Sequence, residues 1–464
     1  MRYISTRGHA PDLGFADVLL TGLARDGGLY VPAELPRFST AEWQALAGLS
    51  YAEAALRVVR PFVGDAIGEA DLAHLLHDAY RGFRHPAVAP LVQLGANDWL
   101  LELFHGPTIA FKDYALQVLG RLFDHVLAKR GQRMAVLGAT SGDTGSAAIE
   151  ACRDRSAVDI FILFPHGRVS DVQRRQMTTV AAANVHAIAI EGTFDDCQDI
   201  VKACFGDLGF RDAVSLGAVN SINWARIMAQ VVYYATSAVA LGAAQRTVDF
   251  AVPTGNFGNV YAGYVARGMG LPIGRFVIGS NRNDILTRTF TTGAMTIGTV
   301  EPSLSPSMDI QVSSNLERYL FDLAGRDGKA LAERMRAFRE TGTLLLTADQ
   351  LEGAQRLFAA ARVDDQATLA TIARTYAECG YLLDPHSAVG FAASQARRGD
   401  RSVPMISLAC AHPAKFVDAV TQAVGTPPAL PAHLNHLMTA EERMTVLPNS
   451  VPAVQAFMRE RLPS

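Results

Sequence analysis

The chain has 464 residues, of which 49% are hydrophobic and 19% are charged, and its formal net charge is −3. This composition is typical of a globular protein with two or three domains and a large buried core. The balanced charge excludes a general electrostatic attraction to nucleic acid or to anionic membranes, so any phosphate binding must be local. We therefore expect small-molecule partners, and neither a nucleic-acid nor a membrane partner.

Cysteine usage and hydropathy indicate a reducing, aqueous compartment. The five cysteines show no CxxC spacing, and the histidines show no HxxxH spacing, which argues against disulfides and against a metal site. The first residues lack the apolar run of a secretory signal. The longest apolar stretch, Ile227 to Ala244, is interrupted by polar residues and predicts a buried core helix rather than a membrane span. We expect a cytoplasmic protein without a bound metal.

The first 90 residues predict a small, mostly helical N-terminal domain. Helical patterns cover residues 41–49, 51–58 and 69–80, and turn-rich stretches such as Arg25-Asp-Gly-Gly28 separate them from the beginning of the chain.

From about Leu91 onward, short aliphatic runs alternate with longer helical patterns, which predicts an α/β fold with a wound parallel sheet. The clearest strands are Arg133–Leu137, Asp159–Phe164, Val248–Val252 and Met405–Ala409. The loops that follow parallel strands form the ligand crevice, so the loops after these four strands should converge. Residues 325–377 are charged, helical and without strand signals, and we expect a helical insertion there.

Lys112 is one of five lysines, and it follows the apolar residues Ile109-Ala-Phe111 at the start of a helical pattern. Partial desolvation and the positive end of a helix both favour the neutral form of its amine. A neutral amine is what an imine with an aldehyde cofactor requires. The alternative is a surface lysine that begins a helix.

Two loops between a strand and a helix are suited to bind anions. Thr254–Asn259 is rich in glycine and precedes a helix, so its amides can hold a phosphate, although a plain tight turn also fits. It has neither the P-loop pattern nor the GxGxxG pattern of nucleotide sites. Thr140–Gly145 offers hydroxyls and amides to a carboxylate, with helix capping as the alternative.

Five segments in order resemble the threonine synthase family, in its long bacterial and fungal form. They are Phe104–Asp113, Ala139–Gly145, Asn220–Arg226, Thr254–Gly258 and Ala411–Phe416. The resemblance extends over nearly the whole chain. It implies a tryptophan-synthase-β-like (fold type II) enzyme that uses pyridoxal 5'-phosphate (PLP). It also implies a lyase that converts O-phospho-L-homoserine and water to L-threonine and phosphate, the last step of threonine biosynthesis.

The resemblance further implies that residues 1–90 form the N-terminal domain of this family and that residues 91–464 form the catalytic region, with two α/β subdomains around the cofactor cleft. Lys112 would be the catalytic lysine that forms the imine. The other residues that it implies for the cofactor are Asp143, Gly255, Asn256, Phe257, Gly258, Asn259 and Cys410. Those that it implies for the substrate are Ser141, Gly142, Thr144, Asn220, Ser221 and Arg226.

The chain departs from the family pattern at two positions. Cys410 stands where the family usually has a threonine facing the pyridine nitrogen, and Asn259 stands where relatives often have aspartate. A thiol is a weak donor, so we expect little change in the electronics of the cofactor.

Three other interpretations remain open at this point. A dehydratase or a cysteine-synthase-like enzyme needs no second phosphate site, which disfavours both if Asn220, Ser221 and Arg226 bind phosphate. A catalytically silent relative has no need of Lys112. A nucleotide-binding protein is disfavoured, because this chain lacks the phosphate-binding motifs of that class. We expect a monomer or a weak homodimer.

Overall fold

A computed structural model describes residues 1–462 of the chain. In chain order, its N-terminal region contains β1 (Arg2–Ser5), β2 (Leu13–Gly14), α1 (Phe15–Thr21), β3 (Tyr30–Pro32), α2 (Thr40–Gln44), α3 (Tyr51–Val63) and α4 (Glu69–Tyr80). The strands form an antiparallel sheet in the order β2-β1-β3. The three predicted helices are confirmed, although α2 ends earlier than its pattern suggested. The strands are too short for an alternating pattern to reveal them.

The rest of the chain alternates strands and helices, as the sequence predicts. The elements are β4 (Leu91–Gln93), β5 (Asp98–Glu102), α5 (Lys112–Arg130), β6 (Met134–Ala139), α6 (Asp143–Cys152), β7 (Val158–Pro165), α7 (Asp171–Thr178), β8 (Val185–Glu191), α8 (Phe194–Gly206), α9 (Leu208–Ala213), β9 (Leu216–Gly217), α10 (Trp224–Ala240), β10 (Val248–Pro253), α11 (Gly258–Gly268), β11 (Ile273–Ser280), α12 (Ile285–Thr292), β12 (Ala294–Thr296), α13 (Leu316–Leu323), α14 (Gly328–Thr341), β13 (Thr343–Leu345), α15 (Ala348–Leu357), β14 (Phe358–Arg362), α16 (Asp365–Cys379), α17 (Pro385–Arg397), β15 (Met405–Ala409), α18 (Val417–Val424), β16 (Thr445–Pro448) and α19 (Val451–Arg461). Short 3-10 helices cover Gly64–Ala66, Pro306–Met308, Pro413–Lys415 and Ala432–Met438.

Two sheets organise this region. One has the strand order β14-β11-β10-β15-β5-β4 and is parallel except for the β4–β5 pair. The other has the order β16-β8-β7-β6-β9 and is parallel throughout. The four predicted strands are confirmed as β6, β7, β10 and β15, two in each sheet. The ligand cleft is therefore bounded by loops from two sheets rather than from one.

The prediction of a strand-free helical insertion over residues 325–377 is wrong. This segment contains β13, which pairs with β12, and β14, which pairs with β11 at the edge of the six-stranded sheet. The sequence of β14, Phe-Ala-Ala-Ala-Arg, has no β-branched residue, and alanine is common in helices. The segment forms a strand because it pairs with β11, although its residues intrinsically favour a helix.

The apolar stretch beginning at Ile227 lies within α10, and that helix is buried along most of its length, as predicted. It packs against α3, α5 and α11, so the N-terminal region and the catalytic region share one hydrophobic core. The division of the chain at residue 90 therefore stays a prediction. Within residues 1–462, no helix is both long and apolar enough to cross a bilayer.

The close approach of α5 and α6 depends on a glycine. A Cβ atom at Gly120 would overlap the backbone carbonyl of Ala151. This contact lets α5, which begins at Lys112, lie directly against α6, which begins at Asp143. The two helices thereby bring their first residues to the same end of the fold.

We predict that Gly120→Ala destabilises the protein by about 1–3 kcal/mol, because the added methyl group must push backbone aside. The matched control is Gly353→Ala in α15, where a Cβ meets nothing within 4 Å, and there alanine gains up to ~1 kcal/mol of helix propensity. Melting temperatures measure both effects. A Gly120→Ala variant that melts at or above the wild-type temperature would contradict the packing argument.

Candidate active site

A cavity of about 480 Å³ lies where loops from the two sheets meet. It is lined by residues from the loops after β6, β10 and β15 and by the first turns of α5 and α10. The loop after β7 does not reach it, so that part of the predicted convergence is wrong. Of the residues proposed from the sequence, those that line the cavity are Lys112, Ser141, Thr144, Asn220, Ser221, Arg226, Gly255, Asn256, Gly258, Asn259 and Cys410. Gly142, Asp143 and Phe257 lie behind its wall.

Lys112 is the first residue of α5, and its side chain is buried. Its Nζ donates to Asp143 Oδ2 and to Ser307 Oγ, both at 3.3 Å. Burial lowers the pKa of Lys112, although the negative charge of Asp143 opposes this shift. The structure thus places the amine in the desolvated position that the sequence suggested, at the end of the cavity.

The loop that leads to Lys112 is held by Asp113. This buried carboxylate accepts from the backbone N of Thr108 at 2.8 Å and from the Thr108 hydroxyl at 2.6 Å. A Cβ atom at Gly106 would approach the Asp113 side chain to 2.5 Å, which explains the glycine there. Burial raises the pKa of Asp113 to about 6. The loop is therefore rigid, and it fixes the direction in which Lys112 leaves α5.

Four side chains contact the carboxylate of Asp143. Besides Lys112, Ser307 Oγ donates to Oδ2 at 3.1 Å, Gln173 Nε2 donates to Oδ1 at 2.8 Å, and Lys415 Nζ lies 3.1 Å from Oδ1. Burial alone would raise the pKa of Asp143, but the charges of Lys112 and Lys415 hold it well below its usual range. Asp143 is therefore an ionised carboxylate in a buried site.

The loop after β6 is shaped by Thr140 rather than by helix capping. The Thr140 hydroxyl accepts from the backbone N of Gly142 and of Gly145, both at 2.9 Å. Gly142 occupies the N-cap position of α6 with φ 143° and has no side chain, so the hydroxyl of Thr140 takes over the N–H of Gly145 in the first turn. The capping interpretation of Ser141 and Thr144 is therefore wrong, and both residues line the cavity instead.

The loop after β10 forms a cup at the start of α11. Thr254 Oγ1 accepts from the backbone N of Phe257 at 3.1 Å, and Phe257 adopts φ 60°, so that its ring packs against Phe290. A Cβ atom at Gly255 would lie 3.0 Å from the side chain of Ile310, so the cup has no room for a side chain at this position. The N–H groups in the first turn of α11 have no acceptor within the helix and point toward the cavity end. The cup is suited to an anion with several oxygens.

Asn259 adds a donor to this cup. Its Oδ1 accepts from the hydroxyls of Tyr233 at 2.6 Å and Tyr234 at 2.9 Å, which fixes the orientation of the amide. Its Nδ2 is buried and has no hydrogen-bond partner within residues 1–462. A buried donor without a partner is costly, and an anion in the cup would remove that cost.

Arg226 supplies a buried positive charge on another part of the wall. Its Nη1 donates to the carbonyl of Val219 at 3.1 Å, and its Nε is buried without a partner among the described residues. Burial lowers the pKa of Arg226 to about 10. No carboxylate of residues 1–462 forms an ion pair with it. Asn220 and Ser221 line the cavity beside it. The charge and the free Nε make this group suited to bind a second anion.

Cys410 follows β15 and lines the cavity, and burial raises the pKa of its thiol well above the usual range. Its backbone N donates to Ser387 Oγ at 2.8 Å. Nearby, His386 Nδ1 lies 2.9 Å from Asp384 Oδ2, and its Nε2 accepts from the backbone N of Ser307 at 3.3 Å. The ring thus holds the Ser307 loop through hydrogen bonds.

The sequence reasoning did not assign Lys415, Gln173 or Ser307 to the site. Lys415 and Ser307 lie in segments that match family motifs, and Lys415 is one of only five lysines. The motif and the scarcity of lysines together could have identified Lys415. Gln173 lies on α7 and carried no sequence signal, because a glutamine in a charged helix resembles many surface residues.

Known proteins match this chain along its length. Three family models cover it: threonine synthase N terminus at residues 2–80, pyridoxal-phosphate dependent enzyme at 84–404, and threonine synthase C-terminal at 387–458. Threonine synthase of Pseudomonas aeruginosa is 59% identical over 461 residues, which cover 99% of this chain and 98% of that relative. The crystal structure of PLP-bound threonine synthase from Brucella melitensis superimposes with a TM-score of 0.98 at 54% identity over 100% of both chains. The crystal structure of yeast threonine synthase superimposes with a TM-score of 0.94 at 40% identity, over 99% of this chain and 98% of that one.

The fold and the buried lysine above an anion cup define a PLP-dependent enzyme of fold type II. With both threonine synthase models and these relatives, the chain belongs to the threonine synthase family. The expected fold class and cofactor are thereby confirmed. The site fits the cofactor on its own evidence, because the unpartnered amide of Asn259 and the narrow cup at Gly255 suit its phosphate.

We predict that Arg226→Met raises the stability of the ligand-free protein by about 1–2 kcal/mol, because it removes a buried charge that lacks a partner. Added inorganic phosphate should then stabilise the wild type more than the variant. Thermal unfolding with and without phosphate measures both effects.

The matched control is Arg318→Met. Arg318 is equally buried, but its guanidinium donates to Tyr30 O, Asn315 Oδ1 and Ile222 O. Its loss should cost about 1–3 kcal/mol for each of these acceptors that is left buried without a donor. If Arg226→Met destabilised the protein as much as Arg318→Met does, Arg226 would be a structural residue.

Proposed function

We propose that this enzyme converts O-phospho-L-homoserine and water to L-threonine and inorganic phosphate. The observation that carries the proposal is the presence of two separate anion sites in one cavity with Lys112. The cup after β10 is one, and the guanidinium of Arg226 is the other. A cofactor phosphate and a substrate phosphate would each have a place. The names of the relatives agree with this activity.

We assign the cofactor to Lys112 and the β10 loop. Gly255, Asn256, Phe257, Gly258 and Asn259 would hold its phosphate, with Phe257 acting through the backbone because its ring is buried in the aromatic cluster.

Asp143 and Cys410 would lie near the ring of the cofactor. The thiol of Cys410 stays protonated because burial raises its pKa, so it would leave the pyridine nitrogen without a charged partner.

We assign the substrate to the remaining walls. Ser141 and Thr144 line the cavity beside Lys112 and would bind the substrate carboxylate. Gly142 would shape this substrate loop, because its backbone N donates to Thr140 Oγ1. Asn220, Ser221 and Arg226 would bind the phosphate that leaves. A guanidinium offers two parallel hydrogen bonds to a phosphate and a fixed positive charge.

The chain's own residues account for positioning and proton transfer. When bound, the cofactor stores the electrons released from the substrate carbons. The Lys112 amine, once displaced by the substrate amine, would take protons from Cα and then from Cβ. After the phosphate has left, it would return one proton to Cγ, and after water has added at Cβ it would return one to Cα. Arg226 would stabilise the departing γ-phosphate through its charge. Closure of the cavity would exclude water until the phosphate has left.

A dehydratase or a β-replacement enzyme is the second candidate. Neither needs a second phosphate site, and the buried Nε of Arg226, which lacks a hydrogen-bond partner among the described residues, favours the phosphorylated substrate over both. We further propose that the enzyme acts in the cytoplasm as a monomer or a weak homodimer.

We predict that the purified wild type shows a visible absorption band from bound cofactor and releases phosphate and threonine in equal amounts from O-phospho-L-homoserine. Lys112→Ala should lose the band and reduce turnover by at least about 100-fold, because the imine and the proton carrier are lost together. Absorbance and a phosphate assay measure both.

Lys129→Ala is the control, since Lys129 is exposed on α5 and pairs with Asp71 at the surface. A wild-type band without phosphate release would overturn the proposed reaction in favour of the second candidate.

A further inference from the structure

Two lysines are buried on opposite sides of one carboxylate. Lys415 is 1% exposed and Lys112 is 7% exposed. Their Nζ atoms lie 3.1 Å from Oδ1 and 3.3 Å from Oδ2 of Asp143. Two ammonium groups against one carboxylate would leave an unbalanced positive charge in a buried site, which is costly. One of the two lysines is therefore favoured to be neutral.

The surroundings of Lys415 select it as the charged one. Its Nζ donates to Thr108 O at 2.9 Å and to Gln176 Oε1 at 3.0 Å, and Asp143 Oδ1 provides a third oxygen. Gln176 donates its own Nε2 to Thr108 O at 3.1 Å, so its Oε1 is fixed toward the lysine. An ammonium has three hydrogens to donate and no lone pair, which matches three acceptors.

Lys112 is held less tightly. Its contacts to Asp143 and to Ser307 are both 3.3 Å long, and Ser307 Oγ directs its own hydrogen to Asp143 at 3.1 Å. A hydroxyl can instead accept from or donate to an amine. This environment accommodates a neutral amine, and Lys112 also opens into the cavity.

We propose that Lys415 is a positioning residue whose fixed ammonium occupies one oxygen of Asp143, so that Lys112 remains a neutral amine able to react with the aldehyde of the cofactor. The inference rests on the role of Lys112 in the proposed function. Lys415 itself does not contact the reacting atoms in this scheme and acts through Asp143 and through space.

The other charged and titratable groups around Lys112 support the same direction. Burial lowers the pKa of Lys112, Asp143 raises it, and Lys415 and then Arg226 lower it. Cys410 contributes no charge, because burial raises the pKa of its thiol. His386 also faces this site, where its Nε2 accepts from the backbone N of Ser307 at 3.3 Å. Of the two cations, Lys415 has the larger effect on the pKa of Lys112.

A purely structural role is the alternative, because Lys415 also ties the Thr108 loop to Gln176 on α7. A structural tie would affect stability but not the acidity of Lys112. The two roles can therefore be separated by measuring that acidity directly.

The experiment is competitive acetylation of the full-length chain freed of cofactor, over a series of pH values, with each lysine quantified by mass spectrometry. In the wild type, Lys112 should reach half-maximal reactivity at a lower pH than the exposed Lys129. In Lys415→Met that midpoint should rise by about one pH unit or more, which makes Lys112 roughly tenfold less reactive near neutral pH.

Lys415→Arg should keep the wild-type midpoint, because it keeps the charge, and Lys129→Met should leave it unchanged. An unchanged midpoint in folded Lys415→Met would overturn the proposal. So would a wild-type midpoint for Lys112 at or above that of Lys129, a comparison that needs no variant to fold. The labelling involves no substrate, so a failure of the proposed reaction would appear separately, in the phosphate assay.

Discussion

The carboxylate of Asp143 is the interaction on which the site depends. It is buried and contacted by Lys112, Gln173, Ser307 and Lys415. These residues come from four segments that are far apart in the sequence, namely α5, α7 and the 3-10 helices at 306–308 and 413–415. One negative charge thus draws loops of both sheets toward the same point. Without it, the ammonium of Lys415 would be buried with no compensating charge.

The rest of the cavity is built in the opposite way, with donors that lack acceptors. The amide of Asn259 and the guanidinium of Arg226 are buried and incompletely paired within residues 1–462. Groups of this kind reduce the stability of the ligand-free chain, and bound phosphates would restore it. Charged and polar groups are therefore paired around Asp143, and they are incompletely paired where phosphate is proposed to bind.

Much of the fold could be predicted from the sequence, because its strands are runs of aliphatic residues and its helices have clear starts. The exceptions have physical reasons. The strand β14 is mostly alanine and exists because it pairs with β11. The loop after β7 was expected in the cleft, but a parallel sheet brings several loops to one edge and only some of them face a second sheet.

The site residues that could be predicted are those that lie in a recognisable local sequence pattern. Lys112 and the loops at Thr140 and Thr254 carry glycines, hydroxyls and apolar flanks that indicate chemistry within a few residues. Lys415 and Gln173 act through contacts with Asp143 across 30 or more residues of sequence separation, which no local pattern can show. The capping interpretation of Ser141 and Thr144 was wrong because the hydroxyl of Thr140 bonds the backbone amides of the loop instead.

The most direct test of the role of Asp143 is the stability of Asp143→Asn, measured by denaturant unfolding of the ligand-free protein. Asparagine keeps the shape of the side chain but removes the negative charge that compensates the buried ammonium of Lys415. The variant should lose about 3–5 kcal/mol of stability, because breaking a buried ion pair leaves an uncompensated charge. A change within about 0.5 kcal/mol, the range of an ordinary surface substitution, would contradict the claim that this carboxylate organises the site.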